Sequence, residues 1–121
     1  MTEIANAAVM TLARDIVSAA GDVKAENVLL LDLRTLSTVA DYFVICSGGS
    51  ERQLKAIADR IEESLLKNHK VKPKTVSGST SGGWVLMDYY SIVVHVFLPS
   101  QRAYYNLEAL WQKAPVMLRM A

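Results

Sequence analysis

Apolar positions along this chain follow two periods, and each switch between them marks an element. Near the start, Ile4, Ala8, Leu12, Ile16 and Ala19 recur at helical spacing, with Thr2 placed to cap the helix and Gly21 to end it. Residues 28–33, VLLLDL, form a strong strand candidate with Asp32 inside it. A short connection over 35–40 leads to residues 41–61, DYFVICSGGSERQLKAIADRI, the stretch around which the chain is organised. Its residues 42–46 are unbroken strand formers. Ser47-Gly48-Gly49 breaks the run, and Ser50 followed by Gln53 has the capping-box spacing. Leu54, Ile57, Ala58, Ile61 and Leu65 then form one apolar stripe of a helix over 50–68. Glu51, Arg52, Lys55, Asp59, Arg60, Glu62 and Glu63 fill the rest as a solvated face, with Glu51 and Lys55 spaced to pair. His69, in NHKVKPK, reads as an exposed loop histidine.

The second half returns to a period of two. Residues 73–76 predict a short edge strand, and the Gly/Ser-rich 77–83, SGSTSGG, predicts a mobile connection. Residues 84–89 and 92–98 read as a hairpin about a two-residue turn, Tyr90-Ser91. That register sets Trp84 opposite Phe97, Leu86 opposite His95 and Asp88 opposite Val93; the other face pairs Val85 with Val96, Met87 with Val94 and Tyr89 with Ile92. The second face is apolar throughout and is expected to lie on the core. The first mixes large aromatics with a few polar groups, which fits a partner surface and equally a face covered by the final helix. Pro99 ends the strand, and a last helix runs from Ser100 through RAYYNLEALW, with Tyr104, Leu107, Leu110 and Trp111 on one side and Tyr105 and Glu108 pointing outward. The tail, 113–121, carries Val116, Met117 and Leu118 beyond Pro115 and is open to docking on the domain or on a neighbour. The strand–helix–strand order about 41–61 favours a right-handed parallel crossover, beside an antiparallel hairpin. The expected fold is α/β (α+β): a mixed five-stranded sheet flanked by helices, in one domain over 1–121 with a flexible tail at 113–121.

Composition narrows the function. The chain is 121 residues long, 51% hydrophobic and 21% charged, enough for a substantial core. Its 13 basic and 12 acidic side chains give a net charge of +1, which supplies no global attraction to nucleic acid or anionic lipid. No apolar run approaches the ~18 residues of a membrane span, and Glu3 stands where a basic leader would begin. A soluble, cytoplasmic protein without a membrane partner is expected. The single Cys46 cannot form an internal disulfide and reads as a core residue. Asp32 and Arg34 read as a structural pair.

The Gly-rich corner before a helix can hold an anion. It keeps open a second reading, a nucleotide-binding or nucleotidyltransferase-like enzyme using Gly48-Gly49-Ser50. Such enzymes bind divalent metal with two or three carboxylates on neighbouring strands. Asp88 has no second acid two residues away, and nothing in the pattern brings Asp32 to Asp41. No Cys/His cluster has zinc spacing, no nucleophile stands beside a base, and 77–83 is no Walker loop because no Gly-Lys-Ser/Thr follows. No catalytic residue, metal ligand or cofactor is assigned.

Three stretches together carry a family pattern: DLRTLSTVADYFVICSGGSERQLKAIAD, GGWVLMDYYSIVVHVFLP and RAYYNLEALW, in that order from Asp32 to Trp111. With them the chain resembles the ribosomal silencing factor family (RsfS, or Iojap-like). The resemblance implies a nucleotidyltransferase-like fold without transferase chemistry. It implies binding to the large ribosomal subunit through the universal ribosomal protein uL-fourteen, blocking subunit joining and repressing translation when nutrients are short. It also implies a homodimer when free and a monomer on the ribosome; the near-zero net charge leads to the expectation of little direct contact with nucleic acid. Combined with the hairpin register, the resemblance points to Trp84, Leu86, Asp88, His95 and Phe97, with Tyr104 and Tyr105, as the partner-binding residues. Three positions depart from the family: Ser77 stands for a glutamate, and Tyr90-Ser91 for Gly-Asp. If the turn needs a positive φ, Tyr90 carries strain of about 1 kcal/mol there.

Overall fold

The computed structural model describes residues 3–121. The capping role expected of Thr2 and the place of the Ile4 side chain lie outside the described region. In chain order the elements are α1 (Glu3–Asp22), β1 (Glu26–Asp32), β2 (Tyr42–Ser47), α2 (Glu51–His69), β3 (Thr75–Ser79), β4 (Trp84–Asp88), β5 (Ile92–Phe97), α3 (Pro99–Tyr105), α4 (Leu107–Leu110) and β6 (Val116–Met120). The strands form one mixed sheet in the order β3-β4-β5-β2-β1-β6. Only β2 and β5 run parallel; the other neighbours are antiparallel.

The sheet has six strands where five were expected, because the tail docks on its own chain. Val28 to Leu31 pair with Met120 to Val116, and the Asp32 N–H donates to the Pro115 carbonyl at 2.9 Å. The hairpin has the expected register throughout: Trp84 opposes Phe97, Leu86 opposes His95 and Asp88 opposes Val93. Tyr89 N–H closes the turn on the Ile92 carbonyl at 2.8 Å, and Tyr90 does adopt a positive φ of 70°. The Asp88 carboxylate steadies it by accepting the Tyr90 N–H at 2.7 Å.

Alternation sorts the strand residues onto two faces. Val44, Cys46, Val85, Met87, Tyr89, Ile92, Val94 and Val96 face α1 and α2, where they pack with Ile16, Leu54, Ile57, Ile61 and Leu65. The opposite face buries Leu29, Leu31, Leu33, Ile45 and Phe97 beneath Leu107, Trp111 and Ala114. Two long helices thus cover one face, and two short ones cover only part of the other.

The corner after β2 is closed from within. Gly48 N–H donates to the Phe97 carbonyl (2.9 Å), Gly49 N–H to Gln53 Oε1 (2.8 Å), and Gln53 N–H to Ser50 Oγ (3.1 Å). A Cβ at Gly48 would stand 3.1 Å from both Leu54 and Ile57, so the glycine lets α2 sit tightly on the strand end.

Several local expectations are corrected. Residues 77–79 are not a mobile connection but the outer strand β3, paired with Leu86, Val85 and Trp84. Gly78 is required there: its φ is +77° and a Cβ would lie 2.1 Å from the Trp84 carbonyl oxygen. His69 is no exposed loop residue; it ends α2, and its Nε2 meets Asp15 of α1 at 2.9 Å. Ser64 and Asn68 also donate to Asp15. Burial works to raise the Asp15 pKa, but the bonds from Ser64, Asn68 and His69 outweigh it and leave the pKa lowered. Lys55 pairs with Asp59 at 2.8 Å rather than with Glu51, since it has an acid one turn away on either side. The Asp32–Arg34 pair forms as expected, two-pronged at 3.0 and 2.8 Å, and Arg34 lies over the Tyr42 ring.

The last helix is broken in two. Asn106 takes a left-handed conformation (φ 47°), which asparagine tolerates better than other side chains, and it ends α3 before α4 begins. The break exchanges the expected positions of the two tyrosines and turns Leu110 outward, while Leu107 and Trp111 lie on the sheet as expected. Tyr105 turns onto the sheet and Tyr104 points away. Glu108 is drawn back to Arg102, which binds it at 2.9 Å. The same guanidinium donates to the Asn27 carbonyl (2.7 Å) and Ser47 Oγ (2.9 Å), fastening both short helices to the ends of β1 and β2.

Candidate functional site

The partly covered sheet face holds the seven residues singled out from the sequence. Trp84 and Leu86 project from β4, His95 and Phe97 from β5, and Asp88 sits at the hairpin end. Pro99, at the first position of α3, sets the helix direction, and Tyr105 comes down on Trp84 with ring centroids 4.5 Å apart. Gly83 allows that approach. Its φ is +75°, it accepts the Leu98 N–H, and a Cβ would lie 2.7 Å from Gln101 of α3.

The site has a buried tier and an outer tier. Phe97 is 1% exposed and His95 4%, so these two lie beneath the surface that the other site residues present. They form a floor. Trp84 stacks on Phe97 at 4.9 Å and 30° and lies 5.8 Å from His95, with its indole Nε1–H donating to His95 Nδ1 at 3.2 Å. Phe43 of β2 braces the imidazole at 4.6 Å and in turn meets Trp111 at 5.9 Å. Above the floor are the partly exposed Trp84 and Leu86, with Tyr105 at 47% and Tyr104 at 79% exposure, the two tyrosines edge to face at 5.0 Å. Beside Trp84 and Leu86 lies an open groove of about 340 Å³, lined also by Ser77, Gly78, Ser79 and Gly82. Asp88 commits one carboxylate oxygen to the turn.

Phe43, Leu107 and Trp111 belong to this assembly although sequence reasoning did not single them out as site residues. The signal was present for Phe43, whose alternation in β2 puts it on the His95 side. Leu110, 70% exposed, extends apolar surface along α4, and Leu36 with Leu110 and Trp111 lines a neighbouring hollow.

The electrostatics do not favour catalysis. Burial pushes the His95 imidazole down to about 4 and the Cys46 thiol up to about 12, so the first stays neutral and the second stays protonated near pH 7. Among the described residues, no three His, Cys, Asp or Glu side chains gather as a metal site would need. Three of the corner donors that an anion would use, on Gly48, Gly49 and Gln53, already bind the protein itself. Among the described residues no helix is long and apolar enough to cross a membrane.

Comparisons with known proteins agree on one family. The model for "Ribosomal silencing factor during starvation" (RsfS) matches residues 6–120. A ribosomal silencing factor RsfS of Bacillus subtilis is 44% identical, over 82% of this chain and 83% of its own length. The maize chloroplast protein Iojap is 34% identical, over 87% of this chain and 45% of its own length. Among solved structures, a Chromobacterium violaceum protein superposes with a TM-score of 0.81 at 34% identity, covering 85% of each chain. One from Bacillus halodurans gives 0.77 at 38% identity, covering 90% of this chain and 98% of the other.

Proposed function

The chain belongs to the RsfS family of ribosomal silencing factors, and we propose that it represses translation by seating its aromatic face on ribosomal protein uL-fourteen of the large subunit. The observation that carries this reading is the outer tier itself. Trp84, Leu86, Tyr104 and Tyr105 are presented to solvent over a rigid floor of Phe97 and His95. Anchors of this kind, large, stiff and only partly covered, supply most of the energy in protein interfaces. The groove beside Trp84 offers a pocket for a side chain of the partner, and Asp88 a rim charge for a basic residue.

Repression by this route is steric and uses no catalysis. A compact domain of this length is about 30 Å across, enough to occupy ground the small subunit needs when the two join. The near-balanced charge suits recognition of a protein surface better than wrapping of RNA. The site of action is the cytoplasm. When the protein is free of the ribosome, the same face is a candidate for pairing two copies.

The test is co-sedimentation with purified large subunits. Trp84→Ala combined with Asp88→Arg is expected to abolish binding and restore subunit joining, with the circular dichroism spectrum kept and the thermal midpoint lowered, because Trp84 leaves its contacts with Phe97, His95 and Tyr105 and Asp88 leaves the turn. Undiminished co-sedimentation of the folded double variant would sink the assignment of this face.

A further inference from the structure

His95 is 4% exposed, yet it is the polar centre of the aromatic face. A tryptophan indole can only donate. The 3.2 Å contact between Trp84 Nε1 and His95 Nδ1 therefore makes Nδ1 the acceptor and places the ring proton on Nε2. That Nε2–H is buried and has no hydrogen-bond partner among the described residues. Phenylalanine would fill the same space without the buried Nε2 donor but would leave the indole N–H without its acceptor, so what sets the histidine apart is Nδ1.

What the histidine adds is orientation. Phe97 and Tyr105 contact the indole at 4.9 and 4.5 Å, but ring contacts tolerate sliding and rotation within the ring plane. A directional bond from the ring edge removes that freedom. The acceptor is itself fixed, because the imidazole is braced by Phe43 at 4.6 Å and its backbone is held between β4 and β2.

We propose that His95 is a positioning residue for partner recognition: its Nδ1 holds the Trp84 indole in the orientation in which that ring meets the ribosomal protein. The proposal rests on the reading of this face as the docking surface. His95 acts from behind it, without touching the partner.

The experiment compares wild type, His95→Phe, His95→Asn and Trp84→Ala for affinity to purified large subunits, thermal midpoint, and the assigned Trp84 indole N–H signal in the free protein. His95→Phe keeps the volume and loses the acceptor. It is expected to melt no lower than wild type at pH 7, to shift the indole signal and speed its exchange with solvent, and to weaken binding roughly five- to tenfold. His95→Asn returns an acceptor near the Nδ1 position and is expected to recover most of that loss. A stable protein that lost affinity without any change in the indole signal would overturn the proposal. So would wild-type affinity in His95→Phe while Trp84→Ala fails to bind, and in that case the docking reading survives. If Trp84→Ala binds like wild type, both fall. Should His95→Phe not fold, the nitrogen shifts of His95 in the wild-type protein decide: Nδ1 must be unprotonated and Nε2 protonated, and the opposite tautomer excludes the bond.

Discussion

Burial holds the His95 imidazole neutral down to about pH 4, whereas in an unfolded chain the ring takes up its proton near 6.5. Between those values the unfolded state binds more protons than the folded one. Stability is therefore full above about pH 6.5 and declines as the pH falls toward 4, by up to roughly 1.4 kcal/mol per pH unit. Urea titrations should show midpoints falling through this window in wild type and much less in His95→Phe. A wild-type midpoint that stays flat from pH 7 to 4.5 would contradict the buried, neutral ring. Asp15 acts lower on the scale. Its folded pKa is depressed below 3.8, so its contribution is present above that value and fades as the pH falls through the depressed one. The two effects are separable by range. Strain at Tyr90 was legible beforehand, because a two-residue hairpin turn calls for a positive φ. The orphaned His95 Nε2 was not, since burial from β2, β4 and the short helices is a property of the assembled sheet.

At the scale of elements, β3 decides how Trp84 is offered. Its Gly78 takes φ +77° against the carbonyl of Trp84 itself. Gly78→Ala would set a Cβ 2.1 Å from that oxygen, so one of the two strands has to move. The expected cost is about 2–3 kcal/mol, seen as a lower thermal midpoint together with weakened binding to large subunits. Unchanged values in both would mean that β3 does not hold β4 in place. The Gly/Ser composition of 77–83 conceals this strand, because the signals of a loose connection and of a backbone crowded against its neighbour are alike in one dimension. The hairpin β4–β5 was legible for the opposite reason: its alternation and turn leave a single register, in which one face is apolar throughout and the polar residues Asp88 and His95 share the other. The break at Asn106 was missed because RAYYNLEALW has good helical spacing across it. Arg102, reaching Asn27, Ser47 and Glu108 at once, fixes the two short helices where the broken chain leaves them.

Over the whole molecule, the sheet places its most apolar strands in the middle and β3 and β6 at its margins. The tail strand β6 shields the edge of β1, where Leu29, Leu30 and Leu31 follow one another. Alternation in MLRM is short and follows a proline, so the sequence left its docking site open; only the free edge of β1 settles it. Removing residues 113–121 exposes a flat apolar strand edge, the kind that pairs with other chains. The truncated protein is expected to melt lower and to scatter light on warming, and a monodisperse, equally stable product would show that β6 is dispensable. The parallel pairing of β2 with β5 has another consequence, in time rather than space. Tyr42 meets Ile92 across about fifty residues of intervening chain. At roughly 5–20 residues per second, a ribosome making this protein takes about 3–10 seconds to deliver β5 after β2 has emerged. Through that interval the strand YFVIC has an unpaired edge, the kind of surface that chaperones exist to cover while a chain is still being made.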